Sequence, residues 1–336
     1  MAEAAQKTIR GAVIGYGAAF NMGKAHAGWM TAAGMPCVAA CDIDPPRMVA
    51  AAADYPGIRT YLSVDELLTD PEVDLCVVVL PHNIHAEIAI QCLNAGKHVI
   101  VEKPMCITVA QADAMIAASK AAGTMLSIFH NRRHDGDFLA LKEAIDRGMI
   151  GEVYHIEAGF SGYGKPGTWW RSNKEISGGN FYDWGAHFID WILNLVPQPV
   201  TGVTGHYIRK VWLETTNEDH TQAYIHFANG CIADLVMSNI DRSSRPRWRI
   251  SGTTGAIVDT GNNAFTLHTA VDGFPATVTI PYKKTDWQVY YNGIAAHLLQ
   301  GAELDVKPEE GRRIISILEA AERSSAAGCT EVPAYP

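Results

Sequence analysis

Three groups of residues in this 336-residue chain have types and spacing that suit chemistry. Glu102-Lys103-Pro104 ends the apolar run His98-Val99-Ile100-Val101, which follows Gly96 and reads as a short buried parallel strand. Charges leaving water need partners, so a Glu-Lys pair in that position calls for a use. The C-terminal edge of an open parallel sheet is where ligands bind. Near the start, Gly15-Tyr16-Gly17 stands between a strand-like run and a helical pattern. There glycine allows a tight turn and the close approach of a pyrophosphate to a helix N-terminus. Much later, Asp183 and His187 lie four apart, which a helix places on one face. Histidine titrates near neutral pH and suits proton transfer. A carboxylate can orient its ring, and an ammonium such as Lys103 can stabilise a developing alkoxide. The combination points to a redox enzyme.

The glycine turn implies a dinucleotide, and its surroundings bear on which one. Asp42 closes the second strand-like run, where an acidic residue accepts hydrogen bonds from the adenosine ribose. The run Asp42-Ile43-Asp44 places no basic residue beside it for a 2′-phosphate. NAD is therefore expected over NADP, with Arg47 the one residue that speaks for NADP. The third position of the glycine fingerprint is Phe20, and the next glycine is Gly23, so the loop departs from the simple pattern.

The elements that position these groups alternate at first. Strand signals at 8–15, 36–42, 75–80, 98–103 and 124–131 are separated by helical patterns, with a capping box at Ser63–Glu66. The run 75–80 has no polar face, as expected under helices on both sides of a sheet. This predicts an α/β, doubly wound parallel sheet over residues 1–130. The rhythm then changes. After a helix near 181–195 come strand-like segments at 200–211, 221–227, 231–238 and 247–251 without long helices between them. Residues 131–336 are therefore expected to form an α+β domain with a large, mostly antiparallel sheet, closed by helical patterns at 287–299 and 309–327. A formal charge of −9 argues against nucleic acid and anionic membrane as partners. No apolar stretch reaches membrane-spanning length. The start lacks a hydrophobic signal region, and the seven cysteines contain no C-x-x-C pair, so a cytoplasmic protein with reduced thiols is expected.

These motifs resemble those of the Gfo/Idh/MocA oxidoreductases. The likeness runs through Gly15-Tyr16-Gly17 with Lys24-Ala25-His26, then Leu80-Pro81 with His85, then 95–104 ending in Glu102-Lys103-Pro104. It continues through 148–152, the segment 178–190 that holds Asp183 and His187, and 306–311. The resemblance implies an N-terminal Rossmann domain and a C-terminal domain whose open sheet commonly forms an oligomer interface. It implies hydride exchange between NAD(P) and a sugar, cyclitol or related polyol. His187 would be base or acid, Lys103 its electrostatic partner and Asp183 the orienting carboxylate. Cofactor contacts would come from the turn (Gly15, Tyr16, Gly17, Ala18, Ala19, Phe20 and Asn21) and from Asp42 and Arg47. Leu80, Pro81, His82 and His85 would add to them, as would Glu102 and Lys103.

Substrate contacts are expected from Lys103, Arg132, Asp183 and His187, with Trp169, Trp170 and Arg171 offering aromatic faces and a hydrogen-bonding fork. Arg133 is a further candidate. Arg245, Arg247 and Arg249 alternate on a strand and read as a solvated or intersubunit face. No metal is expected, because His82 and His85 lack a third ligand at suitable spacing. A sheet face too apolar for a monomer would give a homodimer or homotetramer. Two other readings share much of the pattern: a glycosidase that oxidises its substrate transiently on bound NAD, and a non-catalytic NAD-binding regulator. The intact Lys103, Asp183 and His187 set speaks against the regulator.

Overall fold

The computed structural model of the chain describes residues 8–17, 20–243 and 245–334. Two compact units are present. The first gathers residues up to Cys106 with Ala110–Phe129 and Trp287–Gly311. The second gathers Ile107–Val109, His130–Asp286 and the chain from Arg312 onward.

The first unit alternates strand and helix. It begins β1 (Gly11–Ile14), α1 (Met22–Ala32), β2 (Cys37–Cys41), α2 (Pro45–Asp54), β3 (Arg59–Tyr61) and α3 (Val64–Leu68). It continues β4 (Leu75–Val78), α4 (His85–Asn94), β5 (His98–Val101), α5 (Val109–Ala122) and β6 (Leu126–Ile128). The strand order is β3-β2-β1-β4-β5-β6, and every pairing is parallel. That is the doubly wound order whose reversal between β1 and β4 opens a ligand crevice at the strand ends. β1 and β4 are buried at every position, as strands covered on both faces must be. Ser63 caps α3, its hydroxyl accepting the Glu66 N–H at 3.1 Å. The short β3 carries no continuous apolar run and escapes sequence reading.

Trp287–Gly311 returns to this unit, and specific groups hold it there. The Tyr290 hydroxyl donates to Ser127 Oγ at 2.9 Å, Ser127 Oγ donates to the Val306 carbonyl at 2.9 Å, and Gln288 donates to the Trp29 carbonyl at 2.9 Å. No local signal in the sequence announces this return.

The second unit is built on a mixed sheet of eight strands among the described residues. It runs α6 (Gly136–Asp146), β7 (Val153–Ser161), α7 (Lys174–Ser177) and α8 (Asn180–Leu195). Then come β8 (Val200–Ile208), β9 (His220–Phe227), β10 (Ile232–Ser238), β11 (Trp248–Gly252), β12 (Ala256–Asp259), β13 (Ala264–Val271) and β14 (Phe274–Pro281). Two further helices, α9 (Gln288–Gln300) and α10 (Pro308–Ala327), close the chain. The sheet order is β14-β13-β12-β11-β7-β10-β9-β8. Only the central β7–β10 pair is parallel; the rest are antiparallel.

Helix α8 packs its apolar side on one face of this sheet, Phe188 lying 5.2 Å from Trp248 between ring centroids. Positions alternating with the buried ones form the other face. There Gln222 bridges Tyr224 and Asp234, and Arg249 pairs with Glu157. That face is mixed, since Ile232 and Val236 share it with Asp234, Gln222 and Tyr224.

Candidate active site

In the first unit, the turn after β1 requires glycine for two different reasons. Gly15 has φ +93°, and a Cβ there would sit 2.0 Å from the Val79 carbonyl oxygen. A Cβ on Gly23, in the first turn of α1, would lie 2.8 Å from the Gly15 carbonyl oxygen. Gly23 thus supplies the close helix-to-strand packing that the third fingerprint glycine normally gives. A Cβ on Gly17 would meet nothing among the described residues, which leaves space there for a ligand. Ala18 and Ala19 lie outside the described residues, Phe20 is exposed, and Asn21 precedes α1 at φ 50°.

Asp42 stands at the end of β2 with its carboxylate already oriented. Oδ2 accepts the Tyr16 N–H at 2.9 Å and Oδ1 the Asp44 N–H at 3.0 Å. Each oxygen keeps a second lone-pair direction for a ribose hydroxyl. Arg47 pairs with Asp44, 3.5 Å away. The Tyr16 side chain turns inward, its hydroxyl donating to Asp54 Oδ2 at 2.9 Å. Open space over Gly17 and an anchored Asp42 fit a dinucleotide.

His85 begins α4 fully buried, with both ring nitrogens beside carbonyls. Nδ1 lies 2.9 Å from the Pro104 oxygen and Nε2 2.8 Å from the Leu80 oxygen. It therefore joins the segments following β4 and β5, and neither nitrogen is left to ligate a metal. Burial lowers its pKa, outweighing the two carbonyls that favour the charged ring. His82 is buried in the 3₁₀ turn before α4.

The Glu102 carboxylate receives two donors: His26 Nε2, 2.9 Å from Oε1, and the Lys103 backbone N–H, 3.1 Å from Oε2. Burial alone would raise its pKa, but the hydrogen bond and charge from His26, with charge from Lys103 and His85, leave it below the ordinary value. Behind His26, Nδ1 lies 2.6 Å from the Tyr291 hydroxyl. Among the motif residues His26 carried no role in sequence reading, and nothing near Tyr291 hinted at one.

In the second unit, Asp183 and His187 lie one turn apart on α8. His187 is buried among rings: Trp184 at 5.4 Å, Trp191 at 6.1 Å and His130 at 6.3 Å. Trp191 is held by its indole N–H, which donates to the Arg132 carbonyl at 2.8 Å. The Arg132 guanidinium lies 4.5 Å from the Trp184 ring centre and pairs with Asp135 at 2.8 Å. Arg171 lies 4.3 Å over Trp170 and 5.4 Å from Trp169, with its Nε 3.9 Å from Asp183 Oδ2. Trp169 holds a left-handed backbone at φ 44° with its indole half exposed. A bulky residue in that region is strained, a feature that gathers at functional sites.

Two expectations are corrected here. Arg247 does not join Arg249 on the sheet's outer face. It pairs with Asp137 at 3.0 Å and lies 5.0 Å from Trp191, 5.2 Å from Phe160 and 5.8 Å from Trp184. Its Nε and Nη2 are buried with no hydrogen-bond acceptor among the described residues, and ring faces take their place. Arg247 precedes β11, outside the strand alternation that suggested a common face. Arg133, a candidate to face the cleft, is instead turned inward and forms a buried ion pair with Asp190 at 2.6 Å. Burial raises the pKa of the Asp137 carboxyl although Arg247 opposes it.

A doubly wound dinucleotide unit followed by a mixed-sheet unit carrying a buried histidine defines a nucleotide-dependent oxidoreductase. Residues 9–130 match the oxidoreductase family with an NAD-binding Rossmann fold, and residues 138–258 match the GFO/IDH/MocA C-terminal domain. The chain belongs to the Gfo/Idh/MocA family. It is 29% identical to scyllo-inositol 2-dehydrogenase (NADP(+)) of Bacillus subtilis over 81% of this chain and 82% of that one. An NAD-binding protein from Listeria innocua superposes with a TM-score of 0.88 at 28% identity, covering 97% of each chain. A levoglucosan dehydrogenase solved with NADH shares the fold, with a TM-score of 0.84 at 21% identity over 98% of this chain and all of that one (100%).

Proposed function

We propose that this chain is an NAD-dependent dehydrogenase acting on a secondary alcohol of an uncharged sugar, cyclitol or related polyol. The observation that carries this reading is charge balance around α8. Four arginines around α8 each have a carboxylate: Arg132 has Asp135, Arg133 has Asp190, Arg171 has Asp183, and Arg247 has Asp137. Guanidiniums paired in this way favour hydroxyl groups over a phosphate or carboxylate, which would have to displace the partner. The exposed indole of Trp169 offers a face for sugar C–H groups.

In this reading Gly17 and Asp42 would hold NAD, which would supply the hydride acceptor. His187 takes the hydroxyl proton as hydride leaves the same carbon, and the Lys103 ammonium stabilises the developing alkoxide. In the reverse direction His187 returns the proton. Preference for NAD rests on the Asp42 carboxylate, which repels a 2′-phosphate, while Arg47 is turned to Asp44. It does not rest on the inositol dehydrogenase relative, which is named for NADP(+). A relative named 1,5-anhydro-D-fructose reductase, 29% identical over 65% of this chain, supports the sugar class. We further propose a cytoplasmic location and a homodimer or homotetramer.

A panel of sugars, cyclitols and polyols, with their uronates and phosphates, tests this by NADH formation. Turnover of uncharged members above their acidic counterparts is expected. Preference for the acids would overturn the substrate class. Glycoside cleavage without net NADH would favour transient oxidation instead.

A further inference from the structure

We propose that His26 and Tyr291 are positioning residues for Lys103, acting through Glu102. This rests on the catalytic role of Lys103 given above. The observation is a hydrogen-bonded chain within the first unit that joins three separate elements. Tyr291 lies on α9, His26 on α1, and Glu102 directly after β5.

An ionised Glu102 can only accept, so the His26 proton sits on Nε2 and points to Oε1. On the other side of the ring, Nδ1 and the Tyr291 hydroxyl share a hydrogen bond across 2.6 Å. The phenol keeps its proton because burial raises its pKa far above the ordinary value. Tyrosine, histidine and carboxylate therefore satisfy one another with no group left over. Oε2 of the same carboxylate accepts the Lys103 backbone N–H. The carboxylate is thus held at one oxygen by His26 and itself holds the backbone of Lys103 at the other.

Packing fixes the middle of this chain. His26 is fully buried, with Phe129 at 4.3 Å and Trp29 at 5.7 Å edge-on, and Tyr291 stacks on Trp29 at 6.4 Å. A buried polar chain of this kind is costly to build unless every member is satisfied. A leucine would fill much of the space of His26 but would leave Glu102 and Tyr291 without this partner. The polar chain instead orients the one carboxylate that adjoins the proposed catalytic lysine, as outer hydrogen-bond partners orient a reactive group. Because α1 begins at the glycine turn and α9 belongs to the returning segment, Lys103 is referenced to both.

The test compares His26→Leu, His26→Gln, Tyr291→Phe and Lys103→Ala on the best substrate of the panel, with NAD binding followed by fluorescence. His26→Leu is expected to lower kcat about 10–100-fold with NAD affinity little changed. His26→Gln, whose amide keeps a donor for Glu102 and an acceptor for Tyr291, should recover most of that loss. Tyr291→Phe retains the ring packing and should lower kcat several-fold. In a Lys103→Ala background, His26→Leu should cost less than about twofold more, because residues acting as a unit are not additive. Additive losses, or a glutamine variant as poor as the leucine one, would overturn the proposal. Wild-type kcat in Lys103→Ala alone would instead overturn the catalytic reading beneath it. If His26→Leu fails to fold, Tyr291→Phe alone and in the Lys103→Ala background decides between these outcomes.

Discussion

At the scale of single residues, the proposed chemistry concentrates on two side chains with different supports. Lys103 adjoins a carboxylate held by two donors, whereas His187 sits among indole rings with arginines that are each paired. If both act mainly on the transition state, His187→Ala and Lys103→Ala should each lower kcat by roughly 10²–10⁴-fold, with small changes in NAD affinity. Steady-state kinetics beside separate NAD titrations checks this. Near-normal kcat in His187→Ala would remove that residue from the reaction. Asp42 governs a different quantity. NAD should bind more tightly than NADP by roughly 10–100-fold, the scale of one like-charge contact at a protein surface. Asp42→Ser should narrow that ratio, chiefly by improving NADP. Tighter NADP binding by the unaltered protein would shift attention to Arg47.

At the scale of elements, ends of strands and helices are tied by buried polar groups whose protonation matters. His85 joins the segments following β4 and β5 with a folded pKa below its ordinary 6.5. Glu102 lies below its ordinary 4.5. In both cases the unfolded chain binds the proton first as pH falls, so stability present at neutral pH is lost on acidification. The His85 contribution should begin to fall as pH drops through 6.5, and that of Glu102 below 4.5. Melting temperature measured from pH 8 to 4 should show the first window, and His85→Gln should flatten it. An unchanged profile in that variant would assign the window to another group. A second tie, Arg133 with Asp190, fastens the turn after β6 to α8. Asp190→Asn leaves a buried guanidinium without its charge partner and should cost about 3–5 kcal/mol, read by denaturant unfolding. A cost under about 1 kcal/mol would mean that other groups satisfy Arg133.

For the whole molecule, the outer face of the large sheet bears on assembly. Its outward positions carry Gln222, Tyr224, Asp234, Glu157 and Arg249, joined by hydrogen bonds and an ion pair. If copies meet on that face, its ion pair and hydrogen bonds, which lie beside Ile232 and Val236, should make the contact weaken with added salt. Light scattering should give a dimer or tetramer mass at micromolar concentration in low salt. A monomer mass there would reject the assembly proposal. The two units also differ in how they close. The first completes its core only when Trp287–Gly311 comes back, with Tyr290 reaching Ser127 and Val306 receiving it.

Much of this was legible in the residue string because its signals are local. Apolar runs such as 75–80, a glycine turn after a strand, and two ionisable residues one helical turn apart follow from backbone geometry that neighbours along the chain dictate. They located the parallel sheet, the Asp42 carboxylate and the Asp183–His187 face. Strands β12 to β14 were harder to see, since their outward residues face water and their apolar alternation is short. What tertiary structure alone decided is which distant groups meet. His26 and Tyr291 are 265 positions apart yet 2.6 Å from one another. Arg247 leaves its strand-mates for a ring of aromatics and Asp137. Hydrogen bonds and ion pairs reach only about 3 Å and carry no periodicity along a chain. They come into being only when packing brings separate elements together, so the local pattern could announce the motifs but not the partners that hold them.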